Sequence, residues 1–128
     1  MTLWPPDYEP SKQERDAALD LINEKIQTAE HTILLALGDV VRPGCLEISP
    51  GIYLGFDTSI TSHWRLNLDF RQQNTGKLLL TSAPRTWRFV AVQHLDSLLL
   101  VLRNKAREEV RAIEGAISSL DLFNKRSE

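Results

Sequence analysis

One cysteine, Cys45, occurs in these 128 residues. That rules out an internal disulfide framework and a cysteine-cluster zinc site. A reducing, cytoplasmic setting is the expectation. Long apolar runs are missing too: the purest, residues 33–37 and 98–102, fall far short of a bilayer span. Residues 1–7 carry no basic segment leading into an apolar one, so no secretory signal is expected. No repeat of 20 to 50 residues is visible, which excludes solenoids and propellers.

Motifs for chemistry are equally scarce. His31, His63 and His94 lack the paired spacing of zinc ligands, so no metal site is expected. No Gly-x-Ser-x-Gly elbow is present, and Cys45 reads as a small half-buried thiol. Asp39, Glu47, Asp57 and Asp69 have no spacing that demands a carboxylate pair. The Gly51–Gly55 stretch lacks the lysine of a phosphate loop. The expectation is a protein without catalytic activity or cofactor, with a small enzyme whose site is not visible in the sequence as the third reading.

What is present is a single soluble domain's worth of chain, 42% hydrophobic and 25% charged. Folding a 14.6 kDa chain hides about two-thirds of its extended surface, enough for a core without covalent staples. The net charge of −2 conceals segregation. Residues 1–40 hold three basic and eight acidic side chains, whereas residues 41–92 hold six basic and three acidic.

Pro5, Pro6 and Pro10 make residues 1–10 an extended arm. Ser11 and Glu14 have the spacing of a capping box, which starts a helix. Leu19, Ile22, Ile26, Ala29, Ile33 and Ala36 continue it at steps of three and four, and Gly38 ends it. Turn residues at 42–44 and 49–51 then bracket short strands near 45–48 and 52–57. Strict alternation over 63–71 predicts a strand with Trp64, Leu66, Leu68 and Phe70 on its dry face. A hairpin loop at 72–76, a returning strand over 77–82 and a fifth strand over 86–92 complete the expected sheet. From about Gln93 the period returns to that of a helix, reaching about Leu122, with residues 124–128 expected to fray. The whole is an α+β domain over 11–123: one helix, about five mostly antiparallel strands, and a long last helix, with the helices on one face of the sheet.

Two surfaces follow. A body of this size is roughly 36 Å across. The last helix, at 1.5 Å per residue, reaches about 37 to 43 Å. Its far end carries Val110, Ile113, Ile117 and Leu120, which, if the sheet stops short of them, call for a second helix, either the first helix of the same chain or, as the favoured reading, one of another chain. A homo-oligomer, most simply a dimer, or a dedicated protein partner is therefore expected, with no membrane contact. The second surface is basic. Arg65, Arg71 and Arg88 alternate away from the aromatic residues, with Lys77 and Arg85 at neighbouring turns. Such a face suits phosphates or an acidic protein patch, but a merely solvated face is the commoner reading, and the acids of the first helix, Asp16, Asp20, Glu24 and Glu30, are an alternative partner within the chain. Nucleic acid is the lesser expectation, because the aromatic residues point into the core and the pI is near 5.9.

Overall fold

A computed structural model describes residues 11–73 and 76–126. The arm expected over residues 1–10 lies outside them. The first helix, α1, spans Lys12–Leu37 and begins as its sequence dictates. Ser11 Oγ accepts from the Glu14 amide at 3.2 Å, and the Glu14 carboxylate accepts from the Ser11 amide at 3.0 Å. This reciprocal pairing satisfies two amides that the helix leaves open. Gly38 closes the helix at φ 57°, where a side chain would be strained.

A four-stranded antiparallel sheet follows in simple meander order: β1 (Gly44–Ser49), β2 (Ile52–Asp57), β3 (Arg65–Phe70) and β4 (Gly76–Leu79). The register aligns Leu46, Leu54, Leu68 and Leu78 across all four strands. On the opposite face it aligns Glu47, Tyr53, Asp69 and Lys77. Leu54, Phe56, Leu66 and Leu68 are fully buried, so the alternation read from residues 63–71 does yield one dry face.

The segment expected as a fifth strand is helical. Helix α2 spans Arg85–Val92 and α3 spans Leu95–Arg126, with Gln93 and His94 between them. The β-branched and aromatic content of Thr86 to Val92 favours a strand locally. Tertiary packing overrides it. A 3-10 turn at Leu80–Ser82 and Pro84 redirect the chain, and the Arg88 amide bonds back to the Pro84 carbonyl at 3.0 Å. Trp87 and Ala91 then fall one turn apart on the inner side of α2. Ala91 is fully buried, and Trp87 sits edge-on to Phe70 at 6.1 Å.

The helices cover the dry face. Ile26, Ile33 and Leu37 of α1 and Leu98, Leu102 and Ala106 of α3 join the sheet's leucines in one core. Gly44 marks how closely α3 approaches β1: a Cβ there would lie 2.7 Å from Leu102 Cδ2. Helix α3 continues to Arg126, past the expected end near Leu122.

Candidate functional site

The basic residues expected on one face are dispersed. Arg65 turns to α1, where its Nε donates to both oxygens of Glu30 at 3.0 and 2.9 Å, and its Nη2 reaches Thr81. Arg88 lies on α2 and donates to Asn23 Oδ1 at 2.9 Å. Arg85 is exposed in the first turn of α2. Of the five, Arg71 and Lys77 share the outer face of the sheet, and each has a carboxylate there: Asp69 at 3.1 Å and Asp57 at 3.0 Å. From the acidic first third, Glu30 neutralises Arg65, whereas Asp57 and Asp69 belong to the basic middle itself.

Sequence reasoning places Glu30 among the α1 acids able to neutralise the basic sheet, but misses that it is buried. Only 5% exposed, it is the one carboxylate among the core positions of α1. Its signal was present: Ile26, Glu30, Ile33 and Leu37 follow steps of four, three and four, which puts the carboxylate on the buried stripe. Besides holding Arg65, Glu30 accepts the Leu66 amide at 2.7 Å. Pairing of β3 with β4 stops at Asn67, so Leu66 has no β4 partner and the carboxylate takes that place.

The outer face holds a shallow concavity of about 270 Å³, floored by Gly55 and lined by Tyr53, Asp57, Asn67, Arg71 and Lys77 among others. Arg71 stacks over the Tyr53 ring at 3.7 Å and comes within 3.8 Å of Cys45 Sγ. Tyr53 is held above its usual range by a hydrogen bond to the Glu47 carboxylate and by that group's charge. Burial alone would raise Asp57, but hydrogen bonds from Ser59 and Lys77 outweigh it and hold the carboxyl below its ordinary value. Cations and anions alternate across this floor, so it presents no field of one sign.

The far end of α3 is different in kind. Arg42 pairs with Glu109, a tie between this helix and the body. From Val110 to Arg126 every residue is exposed. These residues extend about 25 Å at 1.5 Å per residue. Val110, Ile113, Ile117 and Leu120 are 40%, 47%, 54% and 60% exposed in the single chain. Their steps of three and four place them on one stripe, the seam of a coiled coil. Gly115 lies on the opposite side, with open space around it.

No protein family, curated protein or solved structure matches this chain. Among the described residues no group of three or more histidine, cysteine or acidic side chains is placed to hold a metal ion. No helix among them is long and apolar enough to cross a membrane. A second apolar feature, an open groove of about 330 Å³ between α1 and the start of α3, is lined by Ala29, Ile33, Leu95 and Leu99 with polar residues at its rim.

Proposed function

We propose that this is a non-catalytic protein–protein interaction domain, an adaptor that associates with itself through the exposed half of α3 in a reducing, cytoplasmic setting. The observation that carries the reading is the aliphatic stripe of Val110, Ile113, Ile117 and Leu120, exposed along a helix that has left its own sheet. An isolated helix of this length is marginal in water. This one also contains Gly115, Ser118, Ser119 and Asn124, all weaker helix formers than alanine. Its stripe therefore gains from cover, and helices that repeat aliphatic residues every three and four positions find that cover in one another.

The test is the mass in solution. Sedimentation equilibrium on the whole chain is expected to show a concentration-dependent dimer. Replacing Ile113 and Ile117 together by aspartate is expected to leave a folded monomer, since neither side chain belongs to the core. An unmodified chain that stays monomeric at every concentration would refute the reading. A nucleic-acid role draws less support, because Arg65 and Arg88 are engaged by Glu30 and Asn23.

A further inference from the structure

We propose that the concavity on the outer face of the sheet takes a small acidic peptide thiol of the glutathione kind, which Cys45 captures as a mixed disulfide, independently of any self-association. In the row Cys45–Gly55–Asn67 that crosses β1, β2 and β3, the glycine leaves the floor open. A Cβ at Gly55 would lie 2.9 Å from Asn67 Oδ1 and 3.6 Å from Cys45 Cβ, so the thiol-bearing side chain and the amide oxygen flank one gap. Asn67 is only 2% exposed, yet it lines the concavity. Its Nδ2 donates to Asp57 Oδ1 at 3.1 Å, which fixes the amide with its oxygen over Gly55. Among the described residues nothing donates to that oxygen. A nearly buried acceptor without a donor is costly, and here the donor has to come from the concavity.

Charge narrows the ligand. Asp69 takes Arg71, and Asp57 takes Lys77. Glu47 is hydrogen-bonded to Tyr53. Lys105 has no carboxylate partner among the described residues. Its side chain passes Gly44, with Cδ 3.4 Å from where a Cβ would stand, and lines the concavity with Cys45. Lys105 thus supplies a cation for a carboxylate, and Asn67 Oδ1 accepts an amide N–H. The exposed Cys45 sulfur, 3.8 Å from Arg71 Nη2, offers a covalent anchor. An acidic peptide thiol carries all three counterparts, and a space of about 270 Å³ suits a ligand of that size. In the reaction, the Cys45 thiolate attacks one sulfur of glutathione disulfide. The bond from Cys45 to glutathione forms as the disulfide bond breaks, and the departing glutathione thiolate takes up the proton that Cys45 released. Cys45 is oxidised, one glutathione is reduced, and excess glutathione thiol reverses the exchange.

The experiment treats the whole chain with glutathione disulfide and, separately, with the uncharged 2-hydroxyethyl disulfide, following the rate of modification of Cys45 by intact mass. Both rates are also measured in urea, where the unfolded chain reports the intrinsic reactivity of the two reagents. The folded chain is expected to favour glutathione disulfide about tenfold more than the unfolded chain does, the worth of one ion pair and one hydrogen bond. Lys105→Gln, at an exposed position, is expected to return that preference most of the way to the unfolded value. Gly55→Ala, which sets a methyl against Asn67 Oδ1, is expected to lower it as well. Equal preference in the folded and unfolded chains overturns the proposal, and so does a preference that Lys105→Gln leaves intact. A folded chain that neither reagent modifies overturns it too.

Discussion

Replacing Glu30 by alanine probes the join between α1 and the sheet. In the wild type one buried carboxylate accepts the Leu66 amide at 2.7 Å and the Arg65 guanidinium at 2.9 Å. Its removal leaves the Leu66 amide buried without a partner, at a cost of about 1–3 kcal/mol. Breaking a fully buried ion pair costs about 3–5 kcal/mol, but Arg65 is partly exposed and can turn to water, so that figure is an upper bound. Together these give a destabilisation of about 2–4 kcal/mol, and at about 4 °C per kcal/mol for a domain of this size, a fall in Tm of about 8–16 °C. Glu30→Gln keeps an oxygen for the Leu66 amide and loses only the charge, so its fall is expected to be about half as large. Thermal unfolding followed by circular dichroism measures both. A Glu30→Ala chain melting within about 3 °C of wild type would refute the claim that this carboxylate holds the helix to the sheet.

Acid should act through Asp57. Its carboxyl is held below its ordinary value, so its contribution is present in full above the ordinary carboxylate range and is lost as pH falls through the lowered value. Urea midpoints measured from neutral pH downward are expected to fall less steeply for Asp57→Asn than for wild type. Gly44→Ala drives a Cβ to 2.7 Å from Leu102 Cδ2, with an expected cost of about 1–3 kcal/mol in urea unfolding. Gly115→Ala meets nothing within 4 Å, and is expected to raise the helicity of the exposed half of α3 with a gain of up to about 1 kcal/mol, read as ellipticity at 222 nm.

Much of the fold was legible because local and tertiary preferences agree over most of the chain. The Ser11–Glu14 cap, the Gly38 stop and the alternation from Trp64 to Phe70 are local signals, and the structure keeps each of them. The stretch from Thr86 to Val92 was misread because its residue types favour a strand, while the 3-10 turn and Pro84 leave it no sheet edge to join. The exposed stripe of α3 was legible from length alone, since a helix longer than the body beneath it must leave residues uncovered. The expected basic face failed for a different reason. Strand alternation says which side a residue starts from, but an arginine side chain is long enough to turn back to a buried carboxylate. Only contacts between distant segments, Glu30 with Arg65 and Asn23 with Arg88, decide where those charges end up.

The edges of the sheet have a consequence for crowded solutions. Strand β4 is four residues long and passes at once into the 3-10 turn, while β1 is irregular between Glu47 and Ser49. Short and kinked edges are poor templates for adding further strands. Growth from either flank into amyloid-like fibrils is thus discouraged, and concentrated samples should yield assemblies of finite size that do not bind thioflavin.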